Sequence, residues 1–377
     1  MVGLLAALPV AATPFVPASD DQVLERLPYA RADPVQRELR AMRIALARDP
    51  GQLALAVQLA RRFTELGRIS GDPRYAGYAQ SALAPWWDLA EPPRQVRMLR
   101  ATLRQRMHEF DAALADLAAL IAADPRDGQA RLTRATVLQV RGDFEAASHD
   151  CAALRSLASE LVWAACAQSV TAATGQLRTA YATLAEALAR QPRASPELRA
   201  WVLAMLAEMA GRAGEPREAE AHFRAALALD PTDHYTLGAY ADFLLDAGRP
   251  VDARTLLDGR LRTDALLLRH ALALAAVQAP ELAAETEQLR ARFAASRMRG
   301  DRVHQREEAR FALHLLKDPA AALRLAQQNW AVQREPADLR ILLEAALAAG
   351  DATTVRGARD WLARTRLEDV QLARLAR

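Results

Sequence analysis

The residues of this 377-residue chain whose types and spacing best suit chemistry form a doubled pattern. Arg-x-x-Arg-Ala-Thr-x-x-Gln occurs as Arg97, Arg100, Thr102 and Gln105, and again as Arg131, Arg134, Thr136 and Gln139. A planar guanidinium suits bidentate capture of a carboxylate or phosphate. Positions three, seven or eight apart share a helix face, so on two stacked helices these groups stand in parallel rows. The rows either receive an acidic peptide or a free C-terminal carboxylate, or are used internally by Asp116 and Asp150, which recur at the same 34-residue spacing.

A second pair is Cys151 and Cys166. With no CxxC in the chain, a zinc ribbon or thioredoxin-type site is not expected. Two outcomes stay open: a disulfide, formed if the chain reaches an oxidising compartment, or two buried thiols packing as small hydrophobes. The seven histidines (His108, His149, His222, His234, His270, His304 and His314) show no HExxH, and no two share a helix face at ligand spacing. No metal and no cofactor is expected. P-loop, GxSxG and GxGxxG signatures are missing from the sequence, so the expectation is a protein that is not an enzyme.

What must position these side chains is a repeat. Arg94–Asp127 aligns on Gly128–Glu160 with Arg97/Arg131, Arg100/Arg134, Ala101/Ala135, Thr102/Thr136, Gln105/Gln139, Phe110/Phe144, Ala113/Ala147 and Asp116/Asp150 coincident. Further on, Ala180, Ala219, Ala253 and Ala322 recur where two helices must approach closely. Gly142, Gly175, Gly214, Gly248 and Gly350 recur just past a first helix, where a left-handed residue ends it. Asp-Pro at 49–50, 124–125 and 230–231 ends second helices, because the residue before proline avoids the helical region. After Gly67 the turn reads as lengthened, with Asp72-Pro73 opening another helix.

With this unit the chain resembles the tetratricopeptide repeat family, whose 34-residue helix–turn–helix carries a small residue in the first helix, Gly in the turn and Ala opening the second helix. The resemblance implies an all-α, right-handed solenoid over 19–366. Its units lie near 35–93 (with an insertion), 94–127, 128–160, 161–194, 200–233, 234–264, a degenerate 265–300, 303–336 and 336–366, followed by a capping helix at 367–377. It also implies a non-catalytic scaffold that binds a protein or peptide segment along a concave groove lined by first helices, with Thr102, Gln105, Thr136 and Gln139 at groove-facing positions. Helix pairs of this kind cannot bury their apolar faces alone, and stacking completes the core.

Composition agrees. Charged residues are 25% and aromatics 5%, Gly and Pro are sparse at 16 and 19, and the chain is rich in Ala, the best helix former. The net charge is +3 and Lys317 is the single lysine; so small a basic excess argues against nucleic-acid binding. Residues 2–12 are uncharged and apolar, the length of a signal-peptide core, although no Arg or Lys precedes Arg26. The reading is therefore a signal peptide or apolar tail over 1–18, export to a periplasm or similar compartment, and no transmembrane span. A cytoplasmic regulator is the alternative if the segment stays uncleaved. A structural or self-assembling subunit of an envelope complex is another, with homo-oligomers among the possible partners. Trp201 and Tyr235 open successive first helices, either at the groove edge or in the core. Tyr75, Tyr78, Trp86 and Trp87 are either interface anchors or the small core of the lengthened turn, and the core is the expected role.

Overall fold

The computed structural model describes residues 33–301 and 303–377, so the apolar segment 1–18 lies outside the described residues. The described residues form 21 α-helices and no strand. Helix α1 (Pro34–Arg48) precedes nine hairpins. The first pairs α2 (Leu53–Ser70) with α3 (Arg74–Ala82) and the short α4 (Ala84–Trp87). Then come α5 (Arg94–Arg106) with α6 (Phe110–Ala123), α7 (Gly128–Val140) with α8 (Phe144–Leu154), and α9 (Glu160–Ala173) with α10 (Leu177–Arg190). Next are α11 (Pro196–Ala213) with α12 (Pro216–Leu229), and α13 (His234–Asp246) with α14 (Pro250–Leu257). The last three are α15 (Asp264–Ala276) with α16 (Leu282–Met298), α17 (Gln305–His314) with α18 (Pro319–Val332), and α19 (Pro336–Ala349) with α20 (Ala352–Thr365). Helix α21 (Val370–Leu375) ends the array.

Local chemistry sets these boundaries. Asp127, Ser159, Ser195, Asp233 and Thr263 each cap the start of a first helix by accepting a backbone N–H. Asp49, Asp124 and Asp230, each before proline, terminate α1, α6 and α12. At the other end of the hairpin a left-handed residue reverses the chain: Gly71, Gly142, Gly175, Gly214, Gly248 and Gly350, but His108, Gln278 and Lys317 in the remaining three. The next N–H usually reaches back five residues, as from Glu215 to the Ala210 carbonyl (2.9 Å) and from Ala279 to Leu274 (3.0 Å).

Two details differ from the expectation. Gly67 does not begin a turn: α2 runs on to Ser70 and turns at Gly71, and buried Gly67 lets the Tyr75 Cβ approach to 3.1 Å of where its own Cβ would sit. The terminal segment does not merely cap an open end. Leu372 is buried, and α21 packs back on both α19 and α11.

A left-handed L-residue is strained by contact of its Cβ with the following carbonyl, whereas glycine is not. Gln278 (φ 53°) is exposed with no recorded hydrogen bond from its side chain. Gln278→Gly is expected to stabilise the protein by about 1 kcal/mol in denaturant unfolding, and Gly248→Ala to cost about as much. At Gly248 (φ 69°) the added methyl meets no atom within 4 Å, so that cost is conformational alone. Equal midpoints for Gln278→Gly and wild type would refute the strain argument.

Ala113, Ala147, Ala180, Ala219, Ala253 and Ala322 are fully buried, at the positions where paired helices come closest. First helices pack on successive first helices, from α5 on α7 through to α17 on α19, while second helices mainly flank them. Closer spacing of the first helices curves the stack and puts them on its inner face. The curvature is tight. Arg68, near the end of α2, lies 3.7 Å from Asp230, four hairpins on, and the Arg334 N–H donates to the Val140 carbonyl (2.7 Å) across five. The chain thus closes on itself instead of leaving a long open trough.

Candidate functional site

The doubled arginine pattern is assembled as aligned rows, and its guanidinium groups are taken up inside the protein. Arg100 is 6% exposed. Its Nε and Nη2 donate to Asp116 (2.8 and 2.6 Å), and its Nη1 donates to the Trp87 and Leu89 carbonyls. Arg104 also reaches Asp116 (2.7 Å). One unit on, Arg134 grips Asp150 through Nε (2.6 Å) and Nη2 (2.8 Å), with Arg131 adding a third bond (3.0 Å). Arg97 donates to the Ala90 carbonyl (3.0 Å). The Thr102 and Thr136 hydroxyls donate to the carbonyls four residues back, Met98 and Leu132. Gln139 accepts from Ser169 (2.6 Å), and half-buried Gln105 has no recorded side-chain partner. The salt-bridged arrangement therefore commits four of the five Arg100 N–H groups inside the protein.

Cys151 on α8 and Cys166 on α9 have their Cα atoms 5.4 Å apart and their sulfurs at bonding distance. Both are almost wholly buried in one core cluster. The Phe63 and Tyr75 rings meet, and with Trp86 and buried Trp87 they complete the core of the first hairpin, whereas Tyr78, expected in that core, packs its ring on them from outside at 44% exposure.

Counting back six residues from each left-handed turn residue gives one inner-face register, and its polar members include Thr102, Thr136, Ser169, Glu208, Asp242 and Glu344. In the C-terminal half these acids bind arginines of neighbouring units. Asp242 takes Arg269 (2.7 Å) and Arg310 (2.8 Å). Burial opposes ionisation of Asp242, but the two arginines overcome it and hold its carboxyl well below the usual range. Glu344 takes Arg340 (2.7 Å) and His314 (3.0 Å), and Arg340 continues to Asp246 (2.6 Å). These links join α13, α15, α17 and α19 across the inner face.

Between the two ion-paired regions lies a different stretch. Tyr235 opens α13 with 62% of its surface exposed, and Trp201, the corresponding residue of α11, is 42% exposed. Neither ring belongs to a core cluster or stacks on another ring among the described residues. Glu208 stands seven residues after Trp201 on the same helix face, with the Tyr235 hydroxyl near it. Burial pushes the Glu208 carboxyl up to about 7, with Glu335 adding like charge. Glu208 and Glu335 in turn drive the Tyr235 hydroxyl well above its ordinary value. Residue-type scanning finds Trp201 and Tyr235 but passes over Glu208, which only the six-residue register singles out.

The far side is closed by a polar chain. His108 meets Gln333 (3.2 Å), Gln333 donates to Asn329 (3.2 Å), and Asn329 donates to Asp338 (2.7 Å). Arg306 faces Glu307, Glu335 and Asp338 at 3.4, 3.1 and 3.4 Å. No group of three or more potential metal ligands occurs among the described residues, and none of their helices is long and apolar enough to cross a membrane.

The fold and this inner face define a helical-hairpin repeat solenoid. Residues 211–277, spanning the end of α11 through α15, match the tetratricopeptide repeat family. The match covers 211–277, and the same hairpin register recurs over the other described units. No curated protein matches the chain. Among solved structures it is similar to the APC/C heterotetramer Cut9–Hcn1, at 16% identity and TM-score 0.43, over 82% of this chain and 52% of that one. The chain thus spans about half the length of that relative. A tetratricopeptide repeat protein from Parabacteroides merdae is similar at 12% identity and TM-score 0.39, covering 77% of this chain and 97% of its own. Yeast Tom70 is similar at 12% identity and TM-score 0.40, over 91% of each chain.

Proposed function

We propose that the protein is a non-catalytic scaffold that holds a protein or peptide segment on its inner face, at the stretch built by α11 and α13. The observation carrying this reading is the pair of exposed, unstacked rings of Trp201 and Tyr235 on adjacent first helices, within a surface otherwise closed by ion pairs. Aromatic side chains are the commonest anchors of protein interfaces. A rigid stack offers them at little ordering cost on the scaffold side. The arginines first considered for an acidic ligand support this location less well, since Arg100 and Arg134 each grip a carboxylate of their own chain.

The reading extends to an exported protein whose Cys151 and Cys166 are joined, supported by the approach of the two sulfurs and by the persistence of disulfides in oxidising compartments. N-terminal sequencing of the native protein tests the export, with a retained Met1 overturning it. The binding site is tested by selecting random displayed peptides on the purified protein. Enriched peptides are expected to bind Tyr235→Ala about tenfold more weakly than wild type. No enrichment, or enrichment indifferent to Tyr235→Ala, would refute the location.

A further inference from the structure

We propose that the Trp201–Glu208–Tyr235 stretch receives a cationic side chain, the Arg or Lys of an extended partner segment; this rests on the inner-face binding just described. Four acids share the register six residues before a turn: Glu65, Glu208, Asp242 and Glu344. Glu65 is met by Arg68, Asp242 by Arg269 and Arg310, and Glu344 by Arg340. The acids behind the other inner rows are met too, Asp116 by Arg100 and Asp150 by Arg134. Glu208 alone of these has no basic group within salt-bridge distance among the described residues.

The nearby cations are committed elsewhere. Arg212, on the same helix, donates to the Ala172 and Glu368 carbonyls (2.8 and 3.1 Å). Arg306 is shared among Glu307, Glu335 and Asp338, so that surrounding carboxylates outnumber it. In place of a guanidinium, Glu208 has the Tyr235 hydroxyl near it, with Trp201 two turns back on the same helix face. An unpaired carboxylate on a face that also carries exposed Trp and Tyr rings is the chemistry that recognises an ammonium or guanidinium, by ion pairing and by attraction to the ring quadrupole. An acidic segment would meet like charge from Glu208 and Glu335, and a purely apolar one would bury both carboxylates unpaired.

Four charged or titratable groups face Glu208: Tyr235 from α13, Glu335 from the turn before α19, Arg306 from α17, and Arg212 from α11 itself. With its carboxyl held near 7 by burial, Glu208 gains charge as pH rises from 6 to 8, and affinity for a cation rises with it.

The test is a random dodecapeptide display library selected on the full chain and counter-selected on Glu208→Gln, a near-isosteric change whose folding is checked by its melt. Recovered peptides are expected to share an Arg or Lys. Replacing that residue by citrulline or norleucine should weaken binding about tenfold, a loss typical of one anchoring side chain. The same peptides should bind more tightly at pH 8 than at pH 6, and Glu208→Gln should flatten that dependence. Peptides lost in Tyr235→Ala but carrying no shared cation, or an acidic residue instead, would overturn the cationic assignment while leaving the inner-face site standing. Peptides indifferent to both Tyr235→Ala and Glu208→Gln, or no recovery at all, would overturn both.

Discussion

Asp116→Ala is expected to destabilise the hairpins around α5 and α6 by about 3–5 kcal/mol, the usual result of removing one partner from a buried ion pair. The change strands Arg100, which is 6% exposed and otherwise bonded only to the Trp87 and Leu89 carbonyls. Arg100→Ala should cost nearly as much. Asp116 would keep Arg104, but the two carbonyls would lose their donor. Arg134→Ala gives the contrast. Its side chain is 27% exposed and Asp150 keeps Arg131, so about 1 kcal/mol is expected. Since each hairpin contacts mainly its neighbours, the loss should be local, read as faster hydrogen exchange over 84–123 alongside the denaturant midpoint. The double change Arg100→Met with Asp116→Leu should recover much of the stability, because hydrophobic residues of similar size often replace a buried pair without loss. Near wild-type stability for Arg100→Ala, together with lost partner binding, would return Arg100 to the list of ligand contacts.

The same pair shows how far the sequence could be read. The coincidence of Arg100/Arg134 with Asp116/Asp150 at 34 residues was enough to place facing groups on adjacent helices, and with them the hairpin. Buried Ala113, Ala147 and Ala219 were equally legible, because a close approach between helices requires a small residue wherever it recurs. The sequence did not decide whether the arginines face a ligand or a carboxylate of their own chain. That depends on the depth of one side chain, which periodicity leaves open. The turns at His108, Gln278 and Lys317 were missed, since nothing in those residue types signals a left-handed backbone; neighbouring hairpins impose it. Self-closure was also illegible. The contacts of Arg334 with Val140 and of Glu368 with the Leu177 N–H join residues roughly two hundred positions apart, and they follow from superhelical curvature accumulated over five units. For that reason an open groove was expected and a largely ion-paired inner face was found, with Trp201, Glu208 and Tyr235 as its open stretch.

Protein isolated from an oxidising compartment is expected to gain no mass on alkylation after denaturation without reductant, and two adducts after reduction. Cys151 and Cys166 are 1% and 3% exposed, so the folded protein would hide free thiols as well as a bond, and denaturation is what separates the two cases. Closing the 15-residue loop restricts the unfolded chain, and the chain-entropy relation puts the gain at about 3 kcal/mol. The bond links the second helix of one hairpin to the first helix of the next, an interface that stacking alone must otherwise maintain. Reduction should therefore lower the denaturant midpoint and raise hydrogen exchange over 144–173 more than at either end of the array. Cys151→Ala with Cys166→Ala should match the reduced protein, apart from the small loss of buried sulfur, and should no longer respond to reductant. Two adducts without prior reduction, or equal midpoints for oxidised and reduced wild type, would refute the bond and remove its support for export. A bonded pair in protein whose Met1 is retained would instead mean that the cysteines oxidise without export, and Cys151 and Cys166 would then say nothing about the compartment.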